Sequence, residues 1–164
     1  MNLIVAVDSK WGIGKNGKLL VSLKQDMAFF RKMTYGKTVI LGRKTLESFP
    51  QGRPLKNRKH IVLSHTLESR EDIAIVRSMH DLRQLNVDLE DAFVIGGEMV
   101  YRMLLPYCDK AFVTKLDRKF DADAYFPDLD ADDHWELIEI INQFSQSGIA
   151  AEIVVYQNCS PQAL

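Results

Sequence analysis

Cysteine is scarce. Cys108 and Cys159 are the only two in 164 residues, and neither lies in a CxxC pair or beside a histidine cluster. A disulfide framework and a zinc centre are therefore poor readings, and a reduced, cytoplasmic protein is expected. An excess of charge of either sign is missing too. A net charge of −1 without any dense basic block gives a general nucleic-acid role no electrostatic support. No apolar run approaches membrane-spanning length. The opening MNLIVAVDSK has one short apolar run and no basic leader, so neither a signal peptide nor a membrane anchor is expected. Repeats, low-complexity tracts and linkers rich in Pro, Gly or Ser are also absent. What is present is an ordinary globular composition, 46% hydrophobic and 26% charged, in a chain long enough to bury a core without staples. One domain spanning residues 1–164 is expected.

Short apolar runs alternate with helical patterns. Strands are predicted at Leu3–Val7, Thr38–Leu41, His60–Ser64, Ala74–Val76, Ala92–Ile95 and Lys110–Leu116. Helices are predicted near Lys24–Tyr35, Arg43–Phe49, Met79–Asn86 and Glu98–Leu105. Runs such as TVIL and AFVIGG are apolar almost throughout, as suits strands covered on both faces of a mostly parallel sheet. Trp135–Phe144 and Ile149–Tyr156 are long, rich in β-formers and joined by a polar segment containing Gly148, which predicts a closing antiparallel hairpin. The pattern as a whole is α/β with a mixed sheet.

Chemistry concentrates at a few places. On the helix at Lys24–Tyr35, at about 100° per residue, Asp26, Met27, Phe29, Phe30 and Met33 share one arc. A carboxylate within an apolar stripe is costly to bury unless it is hydrogen-bonded. Asp26 either merely favours the helix dipole from the first turn or recognises a cationic, amidine-like heterocycle edge. Gly42-Arg43-Lys44-Thr45 follows TVIL, and Gly96-Gly97 follows AFVI. Each sets free backbone N–H groups at a helix start, a geometry that suits phosphate, although neither is a GxGxxG fingerprint and each alone reads equally as a turn. Arg43, His65 (after Ser64) and Arg77 all follow strand-like runs, so they can converge along one edge of a parallel sheet. Singly, each reads as a solvated surface group. Arg53 and Arg58 flank a Pro-Leu turn, and an arginine fork matches a carboxylate. The histidines His60, His65, His80 and His134 show no metal-ligand spacing, so no metal is expected and they read as polar surface or strand-edge residues.

Taken in order, LIVAVD, WGIGKNGKLL, SLKQDMAFFRKMT, TVILGRKTLESF, GRPLKNRKHIVLS, FVIGGEMVY and VTKLD resemble the dihydrofolate reductase family of bacterial type over nearly the whole chain. The resemblance implies a three-layer α/β fold. Its central twisted sheet is mixed but mostly parallel, with flanking helices and a C-terminal antiparallel hairpin. It implies hydride transfer from NADPH to dihydrofolate, with the two ligands end to end across the sheet. Antifolate binding, a monomer, and no nucleic-acid or membrane partner are implied as well. By residue, Asp26 matches the pterin-binding acid, Thr114 the threonine that supports it, and Tyr101 the tyrosine beside the reaction centre. Ile4, Val5 and Ala6 match the first-strand residues lining the pterin, Ile95 the second carbonyl site, and Phe30 the aromatic wall. Met27, Phe49 and Leu55 match the walls around the benzoyl ring, and Arg58 matches the clamp on the glutamate carboxylate. On the cofactor side the matches are Ala6, Ile13, Gly14, Gly42, Arg43, Lys44, Thr45, Leu63, Ser64, His65, Arg77, Gly96, Gly97, Glu98, Met99, Val100 and Tyr101.

Ile13–Leu19 resembles the family's mobile active-site loop, but with one departure. Leu20-Val21 stands where the family usually has Pro-Trp, so the indole N–H that holds a water is replaced by an aliphatic side chain. Trp11, earlier in the same loop, is the one other indole nearby in sequence. Two rival functions remain open on the residues: a related NADPH-dependent pteridine or pyrimidine reductase, and a folate- or nucleotide-binding module without turnover. Asp26 together with Phe30 and Arg58 argues against the first rival. NADPH consumption with and without dihydrofolate separates all three.

Overall fold

The apolar runs assemble into one eight-stranded sheet in the computed structural model, which describes residues Met1–Leu164. In chain order the elements are β1 (Asn2–Val7), β2 (Gly12–Lys15), β3 (Lys18–Leu19), α1 (Lys24–Thr34), β4 (Thr38–Gly42), α2 (Arg43–Ser48), β5 (Lys59–Leu63), β6 (Ala74–Val76), α3 (Met79–Gln84), β7 (Phe93–Gly96), α4 (Glu98–Leu104), β8 (Lys110–Leu116), β9 (Ala124–Tyr125), β10 (Trp135–Gln146) and β11 (Ile149–Asn158). The sheet order is β10-β11-β8-β1-β7-β4-β5-β6. Every pairing from β8 to β6 is parallel, and the β10–β11 hairpin adds two antiparallel strands beside β8. The hairpin turns at Ser147-Gly148, both at positive φ (54° and 74°), as the tight turns favoured between twisted strands require.

Alternation along the strands makes three layers. One face packs Leu3, Val5, Ile40 and Val94 against Leu82 of α3 and Val100, Tyr101 and Leu104 of α4. The other packs Ile4, Val39, Leu41 and Phe93 against Leu46 of α2 and Phe29, Phe30 and Met33 of α1. The central strands are buried on both faces, which is why their sequences lack polar alternation. Each fully buried aliphatic side chain contributes about 1.5–3 kcal/mol. Cys108 is buried, Cys159 is exposed, and both are free thiols.

Element bounds agree with the sequence reading to within one or two residues, with one clear exception. Gly12–Lys15 and Lys18–Leu19, which overlap the Ile13–Leu19 segment expected as a mobile loop, form a hairpin that pairs with β9 in a separate three-stranded sheet. The reason is local: Asn16-Gly17, at φ 50° and 75°, is a two-residue turn of the type that closes hairpins. Edge strand β10 exposes Leu137, Ile138, Ile140 and Ile141, and its register with β11 is broken twice along that stretch. Such irregularities blunt an edge against pairing with another chain.

Candidate functional site

Because β8, β1, β7, β4, β5 and β6 are parallel neighbours, their carboxyl ends form one row. Along it stand Thr114, Ala6, Ile95–Gly97, Gly42–Thr45, Ser64–His65 and Arg77. Five inter-strand steps of about 4.8 Å make the row about 24 Å long, which accommodates two ligands in line. The predicted residues, scattered through the sequence, are thus brought to one edge.

At the β8 end, Thr114 Oγ1 donates to Asp26 Oδ1 at 2.6 Å. Asp26 lies in the first turn of α1, half-buried, so it sits both at the favourable end of the helix and against the sheet. Burial pushes its carboxyl above the usual carboxylate range, and the Thr114 hydroxyl opposes that rise. Thr114 is 2% exposed and pairs across the ladder with Ala6. Tyr101 is buried and donates its hydroxyl to the Ile4 carbonyl at 2.7 Å. Burial, and then the charge of Asp26, push its phenol upward, so it remains a donor. The β1–β7 ladder ends at Leu3↔Val94, and β4 pairs Ile40↔Val94 and then Leu41↔Gly96. Ile95 is skipped by both ladders, which leaves it at a bulge beside Ile4. Val5 is buried on the opposite face from Ile4.

The other wall comes from α1 and the segment after α2. Met27, Phe30, Phe49 and Leu55 are partly buried, with Phe30 and Phe49 packed on the core face shared by α1 and α2. Arg58 is held in place: its Nε and Nη2 donate to Thr34 Oγ1 at 3.2 Å, Nη2 to the Arg31 carbonyl at 3.0 Å, and Nη1 to the Lys56 carbonyl at 2.7 Å. Tyr35 stacks under its guanidinium at 5.7 Å. A guanidinium carries five N–H groups, so this fixed fork keeps donor capacity on Nη1. Arg53 is exposed and makes no such contacts. Thr34, fully buried, is a supporting residue that the sequence reading missed. Its hydroxyl also donates to the Phe30 carbonyl at 2.8 Å, tying the helix end to the fork.

At the glycine ends, neither α2 nor α4 has a side-chain cap, so the first N–H groups of both helices are left to other partners. The Gly96–Gly97 peptide is cis, and Gly96 has φ 129°, a region closed to side-chain-bearing residues. A Cβ on Gly42 would stand 3.2 Å from Val100 Cγ2, and one on Gly97 3.4 Å from Thr45 Oγ1. The backbone is therefore bare where α2 and α4 begin. Lys44, His65 and Met99 are exposed, while Leu63 and Glu98 are half-buried. Two of the predicted basic contacts have protein partners. Arg43 Nη1 is paired with Glu47 at 2.8 Å, and Arg77 donates to the carbonyls of Ser64 and Leu67 at 2.7 and 2.6 Å. Ser64 Oγ accepts from Thr66 and Leu67 N–H groups, so Arg77 and Ser64 together shape the turn after β5.

The β2–β3 hairpin, carrying Ile13 and Gly14, is anchored rather than free. Asn16 N–H donates to Asp123 Oδ2 at 3.0 Å, and Asp123 N–H donates to the Gly14 carbonyl at 2.9 Å. At its base the buried carboxylate of Asp8 accepts the N–H groups of Lys10, Gly12 and Phe120 at 2.8–2.9 Å. Asp8 was not singled out from the sequence, yet a short-range Asp-x-x-x-Gly turn is a readable signal. Val21 packs beside Leu23, Leu116, Ile149 and Phe144. Trp11 does not stand in for the missing indole, since it is buried in the large cluster and stacked on Phe126 at 6.2 Å.

His60 corrects an expectation outright. It is 4% exposed, not a surface or strand-edge polar residue, because the segment after α2 folds over it. No group of three or more His, Cys, Asp or Glu side chains could hold a metal. No helix is long and apolar enough to cross a membrane.

Residues 1–158 match the family model described as dihydrofolate reductase. A dihydrofolate reductase of Bacillus subtilis is 39% identical over 139 residues, covering 84% of this chain and 81% of the relative. That of Haemophilus influenzae is 38% identical over 139 residues, covering 85% and 83%. Among solved structures, a dihydrofolate reductase of Enterococcus faecalis, complexed with NADP(H) and RAB-propyl, superposes with a TM-score of 0.83. It has 31% identity and coverage of 96% of this chain and 95% of that one.

Proposed function

The chain belongs to the dihydrofolate reductase family, and we infer that it reduces 7,8-dihydrofolate to 5,6,7,8-tetrahydrofolate with NADPH as hydride donor, supplying tetrahydrofolate for one-carbon metabolism. The observation that carries this is the Asp26–Thr114 pair, a half-buried carboxylate held at 2.6 Å at one end of the row of strand ends whose middle is bare glycine backbone.

The residues fit NADPH. Gly42, Gly96 and Gly97 keep side chains off the edge where a dinucleotide would lie, and Thr45 stands against the glycine pair. Ser64, His65, Arg77, Arg43 and Lys44 supply basic and hydroxyl groups at the far end for its additional phosphate. Arg43 exchanges its partner Glu47 for that phosphate. NADPH, when bound, supplies the hydride. Tyr101, Ile13, Gly14 and Ala6 border the place where donor and acceptor rings meet, and Leu63, Glu98, Met99 and Val100 complete the cofactor side.

For the substrate, the Asp26 carboxylate takes the amidine edge of the pterin, positioned by the Thr114 hydroxyl. The carbonyls of Ile4 and Ile95 face the same ring, the first already oriented by Tyr101. Hydride addition to the C=N bond requires a proton on nitrogen. Asp26 grips the far edge of the ring and cannot touch that nitrogen, so it raises the basicity electrostatically while water delivers the proton. Met27, Phe30, Phe49 and Leu55 enclose the pterin and benzoyl rings, Val5 borders them through its backbone because its side chain turns to the opposite face, and the pinned fork of Arg58 takes the glutamate carboxylate. Fixing two flat rings against each other supplies much of the acceleration.

The whole chain acts as one domain in this reading. The twice-broken register of the β10 edge supports a monomer. The free thiols and near-neutral net charge support a cytoplasmic protein without nucleic-acid partners. Antifolates compete for the Asp26 end. The test is the fall in NADPH absorbance on adding dihydrofolate. Consumption dependent on dihydrofolate supports the reading, whereas tight binding of both ligands without consumption refutes it in favour of a binding module.

A further inference from the structure

His60 is the second residue of β5, and its side chain lies on the core face beneath the segment that joins α2 to β5. Phe49 meets its ring edge-on at 6.5 Å. Its Nε2 accepts the Leu55 backbone N–H at 3.0 Å. A nitrogen that accepts carries no proton, so the ring is neutral with its proton on Nδ1. That Nδ1 is buried and has no hydrogen-bond partner.

The segment it holds needs holding. Gln51 and Asn57 both take left-handed conformations (φ 59° and 60°) without being glycine. Backbone bonds secure its ends: Gly52 to Phe49, Arg53 to Pro50, and Gly36 to Asn57. Between them, the bond to His60 fixes the backbone at Leu55, three residues before Arg58.

We propose that His60 is a positioning residue for the substrate, a proton-sensitive clasp that sets the Leu55 wall and the segment leading to the Arg58 fork, and that protonating its ring releases them. A protonated imidazole donates from both nitrogens, so Nε2–H faces the Leu55 N–H, donor against donor, and the bond is lost. Dihydrofolate then loses its benzoylglutamate contacts, while NADPH, bound along the glycine edge, is unaffected. The charged groups around the ring are Arg58 from this segment and Asp72, itself paired with Arg70, from before β6. The paired strand β4 brings Val39 and the end of α2 brings Phe49, neither of which titrates. Burial disfavours the protonated ring, as does the Arg58 charge, while the Arg58 backbone and Asp72 favour it. The neutral clasp therefore holds at neutral pH and opens on acidification. This inference rests on the assignment of Leu55 and Arg58 to the substrate.

The test uses the full chain, folate and NADPH separately by calorimetry between pH 5 and 8, and amide exchange at Leu55. His60→Gln places a non-titrating acceptor near Nε2, and His60→Leu removes the acceptor. In wild type, folate affinity should fall with pH by about tenfold more than in His60→Gln, the size expected when a buried N–H loses its partner. His60→Leu should show weakened folate binding at every pH and faster Leu55 exchange, with NADPH affinity within twofold of wild type. If His60→Leu does not fold, the comparison of wild type with His60→Gln across pH still decides. Equal pH dependence in those two proteins, or equal weakening of NADPH, overturns the clasp. Faster Leu55 exchange with unchanged folate affinity overturns its link to the substrate. Failure of wild type to bind folate at all refutes the folate reading itself, and the clasp is then judged on Leu55 exchange alone.

Discussion

Replacing Thr114 by valine removes one hydroxyl and little else. Valine matches threonine in shape, and the site is bounded by Ala6 and Ile153 across the two ladders, both apolar. The lost bond runs from a donor 2% exposed to a carboxylate at 2.6 Å, and a hydrogen bond to a charged group contributes about 1.5–3 kcal/mol. The Thr114 hydroxyl is the one influence opposing the rise of the Asp26 carboxyl, burial being the cause of that rise. Without it the carboxyl should move further up, with a tenfold or larger fall in its ionisation constant, since about 1.4 kcal/mol is a factor of ten. A ¹³C titration of the Asp26 carboxyl in the two proteins reads this directly. Stability should follow the same linkage. Asp26 already titrates higher folded than unfolded, so its ionised form opposes folding, and the variant increases that opposition. The loss of stability should be full above the folded titration. Below the ordinary carboxylate range it should shrink to the roughly 1 kcal/mol of a neutral hydrogen bond. Denaturant midpoints at pH 7.5 and pH 3.5 make the comparison. An Asp26 carboxyl that titrates at or below its wild-type position, or a stability loss equal at both pH values, refutes the electrostatic account of the pair.

Asp26→Asn should lower turnover at neutral pH by about a hundredfold or more, with the remaining rate rising as pH falls because solvent then protonates the substrate. It should also raise the unfolding midpoint at pH 7, since a desolvated carboxylate is gone, with no gain in acid; steady-state pH profiles and thermal melts check both. Arg58→Ala should raise the KM for dihydrofolate about ten- to a hundredfold while NADPH affinity, measured by fluorescence titration, stays constant. Arg43→Ala and Arg77→Ala should weaken NADPH about tenfold more than NADH, and equal losses for both cofactors would show that neither arginine meets the distinguishing phosphate. Hydrogen exchange across residues 13–23 should slow in the presence of NADPH plus folate relative to the free protein if this segment, anchored through Asp8 and Asp123, acts as a lid over the ligands. Unchanged protection would rule out a lid.

What was legible in the sequence divides along physical lines. Strands β1, β4, β5, β7 and β8 are buried on both faces and have no polar alternation to hide their runs. The Asp26 stripe was readable because a carboxylate among Met27, Phe29, Phe30 and Met33 conflicts with burial and so signals a partner; that partner, Thr114, came only with the family resemblance. The β2–β3 hairpin was lost because Gly-Ile-Gly-Lys lacks the apolar alternation of a strand, although Asn16-Gly17 was a sufficient turn signal. Arg43 and Arg77 stand at the strand-end edge expected for them; the i,i+4 spacing of Arg43 and Glu47 on a helix was a readable signal of their pairing, whereas no one-dimensional pattern indicates that the carbonyls of Ser64 and Leu67 engage Arg77. His60 was misjudged for a deeper reason. Its burial depends on a segment whose own path depends on His60, since Leu55 N–H needs the acceptor that Nε2 provides. Neither partner carries a local signal, because an imidazole in a strand and a leucine in a loop are each ordinary alone. The same holds for Thr34, whose hydroxyl receives Arg58 where that side chain folds back over the end of α1. The end of the site proposed for the substrate is thus built from mutual, long-range contacts, whereas the end proposed for the cofactor is built from strand ends and glycines. The cofactor end could therefore be read from short motifs. On the substrate side, single residues could be named, and the contacts that orient them emerge only in the folded chain.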